Sequence, residues 1–367
     1  MQQLVYFSPV PWTSFAQRPH KFVEWFHSST NGRVLWVDPY PTRFPKLSDL
    51  HQLNAQRSHE NFQSSLTWLK VLNFPSIPIE PLPYSGLINR AMWHASLRQV
   101  VEISRQAETV LVFGKPSVLA LIVLGRLKGV ISVYDAMDDF PEFYSGISRR
   151  AMSRRERYLV RRVTHVLASS TALMRRLGEI RSDVQLVCNG LDVSILPNKL
   201  DMHPKMERKI FGYVGTISSW FDWKWISALA QARPKDLIRL IGPISSSIPS
   251  PLPRNIELLP PCSHKDALLA MRDFDVGLIP FKLNKLTASV DPIKYYEYRA
   301  LGLPIISTRF GEMEFHGNKS DTFISDGEQD IQDVVQKALM AKTDDAEIIR
   351  FIAENSWEKR FATAKLF

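Results

Sequence analysis

Short apolar runs alternate with longer amphipathic stretches along the whole chain. In the first half, Leu4–Phe7 (LVYF), Val34–Val37 (VLWV), Thr109–Phe113 (TVLVF), Ile131–Tyr134 (ISVY) and His165–Ala168 (HVLA) are Val-rich and bounded by polar residues. Such runs predict buried parallel strands, because a strand covered on both faces has no need of alternating polar positions. Between them, helical patterns run over Arg18–His27, Ile88–Gln106 and Arg149–Arg162. The second half predicts strands at Ile210–Val214, Ile238–Ile241, Ile256–Leu259, Asp275–Ile279 and Pro304–Ser307, with a helix beginning near Asp222. Alternation of this kind predicts α/β architecture with doubly wound sheets. No repeat at solenoid periods is present.

The pattern pauses at Asn189-Gly190-Leu191-Asp192 and then enters the polar, proline-containing stretch Pro197–Lys209. That places a domain boundary there: one Rossmann-like domain over residues 1–197 and a second over 198–350. A length of 367 residues suits two domains at roughly 100–200 residues each. In such sheets ligands bind outside the carboxyl ends of the strands.

Composition adds little to the fold but narrows the setting. Cys188 and Cys262 are far apart with no CxxC pattern, which argues against a disulfide framework or structural zinc and for a reducing cytosol. The start MQQLVYFSPVPW lacks a basic n-region and an apolar core, so no signal peptide is predicted. The most apolar stretch, Val118–Leu124, is far short of the ~20 residues a spanning helix needs.

Charge is more informative. The net charge is +9, and the first 197 residues hold 23 Lys/Arg against 15 Asp/Glu, while the rest hold 23 against 22. An anionic partner of the first half is therefore expected: a phospholipid surface, a lipid-linked diphosphate or a nucleic acid. The densest segment, Ser148–Arg162, carries seven Arg and one Glu. On a helix Arg150, Arg154, Arg157 and Arg161 form one stripe, and Met152, Leu159, Val160 and Val163 are the expected apolar contacts. An anionic membrane surface fits this stripe; a merely solvated helix face is the plain alternative. No RRM, KH or helix-turn-helix signature is present and Tyr158 is the single aromatic among the Arg residues, so nucleic acid is not the expected partner.

The segment with most chemistry is Asp291–Ser307, DPIKYYEYRALGLPIIS. It predicts a helix with Asp291 as N-cap and Pro292 at its first position, ending at Gly302 and followed by a buried strand. The start of such a helix attracts phosphate, and Lys294 projects from its first turn. Glu297 lies one turn on, on the same face, within reach of ribose hydroxyls. A capped helix with a solvated Lys–Glu pair is the alternative.

DPIKYYEYRALGLPIIST resembles the donor-binding signature of GT-B-fold glycosyltransferases. FGYVGTIS is similar to the opening of that family's donor domain, DFDVGLIPF to the strand ahead of the signature, and LVCNGLD to its interdomain junction. Asn355-Ser356-Trp357-Glu358 resembles the closing helix, which implies a C-terminal helix over 351–367 packing back on the first domain. The opening, with Ser8-Pro9-Val10-Pro11-Trp12 and Gln17-Arg18-Pro19-His20, resembles bacterial enzymes of exopolysaccharide, teichuronic-acid and cell-surface glycan biosynthesis.

The resemblance implies two Rossmann-like domains facing each other across an interdomain cleft. It assigns Lys294 to the donor diphosphate, Glu297 to the ribose, and Gly215 and Thr216 to backbone approach to the phosphates, with Tyr295 beside them. Trp12, Arg18 and His20 fall on the acceptor side. A lone Trp or His is also often simply packed. It implies a UDP- or GDP-sugar as donor, with no metal and no further cofactor. The retaining branch carries an acidic residue eight positions before the ribose Glu; here that residue is Ser289. Inversion is thus the expectation, and it needs a carboxylate to take the acceptor proton. Asp138 and Asp139, just after the strand Ile131–Tyr134, are the candidates, a helix N-cap being their other reading.

The expected activity is transfer of a sugar to a membrane-associated, lipid-linked glycan by an enzyme attached peripherally to the inner face of the cytoplasmic membrane. A sugar-nucleotide epimerase of the same fold and a non-catalytic basic binding module are the alternatives.

Overall fold

The computed structural model describes residues 2–40, 66–76, 85–197, 207–317 and 321–366, with only the backbone of 85–88. Most of the predicted boundary stretch, residues 198–206, lies outside the described residues. The chain divides into two compact units: residues 1–169, 173–187 and 364–367 form the first, and residues 170–172 and 188–363 the second.

The first unit is a parallel sheet built from β1 (Gln2–Phe7), β2 (Arg33–Val37), β3 (Leu69–Leu72), β4 (Glu108–Phe113), β5 (Ile131–Ala136), β6 (His165–Ala168) and β7 (Gln185–Leu186). Their spatial order is β3-β2-β1-β4-β5-β6-β7. Its helices are α1 (Arg18–Thr30), α2 (Ser85–Met92), α3 (His94–Arg105), α4 (Val118–Arg126), α5 (Gly146–Val160) and α6 (Thr171–Gly178). Leu4, Val5 and Tyr6 of β1 are fully buried, as a central strand covered on both faces requires. Each such side chain contributes roughly 1.5–3 kcal/mol by leaving water.

The second unit repeats the plan with β8 (Ile210–Val214), β9 (Leu237–Ile241), β10 (Ile256–Leu259), β11 (Val276–Ile279), β12 (Ile305–Thr308) and β13 (Thr322–Ser325), all parallel, in the order β10-β9-β8-β11-β12-β13. Its helices are α7 (Trp223–Ala232), α8 (His264–Met271), α9 (Ile293–Ala300), α10 (Met313–His316), α11 (Ile331–Met340), α12 (Asp345–Asn355) and α13 (Trp357–Ala362). The doubly wound α/β class expected from the pattern is what the chain adopts. In each sheet the order reverses at one central strand, β1 or β8, which is where such folds open a ligand crevice.

Two expectations change in detail. The single helix predicted over Ile88–Gln106 is two, because Trp93 is pulled fully inside and its indole N–H donates to the Pro75 carbonyl at 3.0 Å and Ser76 Oγ at 2.8 Å. At the other end, α12 and α13 belong to the second unit, and residues 364–367 group with the first. The link between α12 and α13 pairs with the Asn189–Asp192 segment: Leu191 N donates to the Asn355 carbonyl at 2.8 Å, and Trp357 N to that of Leu191 at 3.0 Å. Gly190 allows this approach, since a Cβ there would stand 3.0 Å from Trp357 N.

Candidate functional site

In the second unit the loops after β8 and β9 run against each other. Gly215 has φ +154° and Gly242 φ +140°, and a Cβ on Gly242 would lie 2.2 Å from the Gly215 carbonyl oxygen. Only glycine tolerates both the backbone angle and that approach. The turn is locked by Gly215 N donating to the Ile241 carbonyl at 2.9 Å and Tyr213 OH donating to that of Thr216 at 3.0 Å. Gly215 and Thr216 thus present backbone at the carboxyl end of β8, beside β11 in the sheet.

Helix α9 follows β11 and starts differently from the sequence expectation. Pro292, not Asp291, is its N-cap, and no side chain caps it. Asp291 is turned inward: its carboxylate accepts from Asn189 N at 2.6 Å and from Tyr296 OH at 3.0 Å. Burial pushes its carboxyl up to about 7 despite those donors. A helix start with no acceptor of its own leaves first-turn N–H groups for an anion.

Lys294 and Glu297 do share a face of α9, and the structure adds a third partner. Lys294 Nζ donates to Glu297 Oε2 at 2.5 Å, while His264 Nε2, from the first residue of α8, lies 2.6 Å from Oε1. The Glu297 side chain is 3% exposed. Burial acts to raise its carboxyl, but Lys294 and His264 together outweigh it and hold it below the ordinary glutamate value. Glu297 is therefore an anion whose neighbours all donate. Tyr295, expected beside the donor, is instead 1% exposed and stacks on His316 at 3.8 Å; it belongs to the core.

In the first unit the acidic run after β5 divides by depth. Asp135 is fully buried, accepting from Tyr6 OH at 2.9 Å and pairing with Arg18 at 2.8 Å. Arg18 also donates to the Val187 carbonyl at 2.7 Å and is 1% exposed. The acceptor-side placement expected of Arg18 is thus corrected to a framework one. Asp139 sits 3.2 Å from Arg176, whose other nitrogens hold Glu156 at 2.6 and 3.0 Å. Burial raises the Asp139 carboxyl to about 6, Arg176 pulling the other way. Asp138 is half-buried, with no hydrogen bond or ion pair to its carboxylate among the described residues. Burial and the neighbouring Asp139 push it up to about 7.

Trp12 and His20 are packed together with Trp36, their rings 5.0, 5.1 and 4.8 Å apart. His20 Nδ1 accepts from Gln17 N at 3.2 Å and Nε2 lies 3.1 Å from the Trp12 carbonyl, which assigns the neutral Nε2–H tautomer. Burial lowers its pKa to about 4, so it locks the β1–α1 loop rather than relaying protons near pH 7. Along α5, Arg150, Arg154 and Arg157 are exposed, as is Arg161 at its C-cap. The apolar contacts expected of Met152, Leu159, Val160 and Val163 are corrected: all four are in the core. Large apolar or aromatic groups exposed at this helix include Phe143, Ile147 and Tyr158, 50%, 66% and 39% exposed. No described helix is long and apolar enough to cross a membrane.

Two sets of known proteins resemble this chain, though no family model matches it. It is 25% identical over 199 residues to TuaH of Bacillus subtilis (strain 168), a protein assigned to teichuronic acid biosynthesis as a glycosyltransferase. That match spans 48% of this chain and 50% of TuaH, about half of either. Among solved structures, sucrose-phosphate synthase from Thermosynechococcus elongatus superposes with a TM-score of 0.67 at 12% identity, covering 100% of this chain and 98% of that one. HepE from Anabaena, solved with UDP, gives 0.63 at 13% identity, covering 100% and 99%. The described residues therefore have the fold of these structures, the GT-B fold.

Proposed function

We propose that this chain is a nucleotide-sugar glycosyltransferase whose second unit holds the donor. The observation that carries the reading is Glu297: a carboxylate buried yet kept anionic by two donors, one turn from an uncapped helix start, in the unit whose β8 ends in a bare glycine turn. The fold it stands in is that of sugar-transferring enzymes, one of them solved with UDP. In this reading the α9 start and Lys294 meet the diphosphate, Gly215 and Thr216 let backbone approach it, and Glu297 accepts from the ribose hydroxyls. The donor is a UDP- or GDP-sugar, and the likeness to HepE favours UDP.

The first unit supplies the acceptor base. Asp139 is committed to Arg176, whereas Asp138 has no hydrogen bond or ion pair among the described residues and is raised to about 7, where a general base works best near neutral pH. Asp138 takes the proton of the acceptor hydroxyl as that oxygen attacks the anomeric carbon from the face opposite the leaving nucleoside diphosphate. Ser289, buried in a short turn, offers no carboxylate on the donor side, in keeping with inversion. The acceptor is a lipid-linked glycan of cell-surface polysaccharide synthesis. The Arg stripe of α5, with Ile147 and Phe143 inserting, attaches the enzyme to the anionic inner face of the cytoplasmic membrane. The TuaH likeness and the uneven charge support this part.

Calorimetric titration with UDP and GDP of the parent, Lys294→Ala and Glu297→Ala tests the donor site; unchanged affinity in both variants removes it. NMR of the anomeric proton in the product reads the stereochemistry, and retention of the donor configuration ends the case for Asp138 as inverting base.

A further inference from the structure

We propose that His264 is the positioning residue of the donor site, fixing one oxygen of Glu297 so that the other can accept from the ribose; this rests on the donor-site reading above. In the structure the two carboxylate oxygens are shared out, Oε1 to His264 and Oε2 to Lys294. The two partners differ in stiffness. Lys294 sits on a flexible four-carbon stem and its side chain is 22% exposed. His264 has two side-chain torsions and stands at the first position of α8, directly after the N-cap Ser263. That turn is itself pinned, Asp266 N donating to Ser263 Oγ at 3.1 Å and Ser263 Oγ donating to Asp266 Oδ2 at 2.6 Å.

When a diphosphate arrives, the ammonium of Lys294 has a doubly charged partner to turn to. Oε2 then loses its donor, and a buried carboxylate oxygen left bare is costly. The ribose hydroxyls restore the balance by donating to Oε2. Through that exchange Oε1 stays bonded to the imidazole N–H, which both the Nε2–H tautomer and the imidazolium provide. Without His264 the carboxylate would lose its second donor and its fixed rotamer together, and ribose hydroxyls would meet a mobile, poorly compensated charge. His264 thus touches no part of the nucleotide and acts through Glu297.

The test uses the full chain and two probes, UDP and 2′,3′-dideoxyuridine 5′-diphosphate, titrated by calorimetry. The parent and Glu297→Ala set the scale. The parent is expected to prefer UDP by about tenfold or more, and Glu297→Ala to lose that preference. His264→Ala should weaken UDP about tenfold and leave the dideoxy nucleotide within about twofold, so the ratio collapses. His264→Gln, which returns an N–H at similar reach, should restore most of the ratio. Because both affinities are measured on one preparation, the ratio does not depend on the folded fraction. A ratio unchanged in His264→Ala, or one that Gln fails to restore, overturns the proposal. A parent that binds the two nucleotides alike removes the ribose contact itself, and the donor-site reading falls with it.

Discussion

Asp138 and Glu297 are both carboxylates withdrawn from bulk water, one in each unit, and their surroundings drive them in opposite directions. Asp138 has Asp139 beside it and no donor on its own oxygens among the described residues, so burial raises it to about 7. Glu297 is the more buried by exposure, yet Lys294 and His264 keep it below the ordinary value. Burial alone therefore does not decide what a carboxylate does; the count of donors around it does. One group is left ready to accept a proton, and the other is held as a permanent acceptor of hydrogen bonds. The first unit spends its inner cations on structure: Arg18 on Asp135, and Arg176 on Glu156 with Asp139.

The sharpest way to break this contrast is at Asp138. Asp138→Asn should lower the turnover number by about 10²–10⁴-fold, the usual worth of a general base, while UDP affinity stays within twofold or so. The parent's kcat/KM should rise with pH and level off above about 7, because the base works only when deprotonated. The Asn variant should lose that limb. Stability runs the other way. A native pKa above the ordinary 3.8 means the folded state holds the proton more tightly, so this contribution is present in acid and lost as pH rises through about 7. Denaturant unfolding should accordingly find Asp138→Asn more stable relative to the parent at pH 8 than at pH 4. A fall in turnover confined to Asp139→Asn would transfer the role to its neighbour.

Next in size is the framework pair. Arg18→Met strands a fully buried Asp135 carboxylate, and removing one partner of such a pair costs about 3–5 kcal/mol. The melting transition should move accordingly, with any loss of activity following the loss of folded protein. A variant as stable as the parent yet inactive would return Arg18 to the acceptor. Smaller again, Lys294→Ala and Glu297→Ala should each weaken UDP by roughly 1.5–3 kcal/mol, about 10- to 150-fold, with Asp138 untouched.

Much of this was legible in the chain because its signals are local. Short apolar runs marked ten of the strands, and the Lys294–Glu297 spacing of one helical turn put the pair on one face. What escaped has weak local pattern or a distant partner. β3 (LKVL), β7 (Gln185-Leu186) and β13 (TFIS) are short, partly exposed and at or near sheet edges, where apolar periodicity fades. His264 lies 33 residues before Glu297, and nothing in either segment announces the other. Asp291 before a proline obeys the rule for an N-cap, but Asn189, 102 residues away, had claimed its carboxylate. Arg18 was expected on the acceptor side because its buried partner Asp135 is 117 residues off.

The smallest single effects are expected on α5 of the first unit, where cations with no ion pair among the described residues meet solvent. Arg150, Arg154, Arg157 and Arg161 are exposed along and just beyond α5, while Arg149 beside them is tied to Glu142. An Arg near an anionic bilayer contributes about 1 kcal/mol, so each single Arg→Gln change should weaken vesicle partitioning about fivefold, and four together far more. Exposed charge is screened over ~8 Å at physiological ionic strength, so the attachment should fade with added salt. Ile147→Ser should remove a part that salt does not, since an inserted apolar side chain leaves water whatever the ionic strength. Co-sedimentation with vesicles containing an anionic lipid, compared with neutral ones, reads both parts. UDP affinity should be unchanged in every one of these variants, because they lie in the other unit from Glu297. If the fourfold Gln variant sediments as well as the parent, α5 is a solvated face, and the basic charge of the first unit serves the acceptor instead.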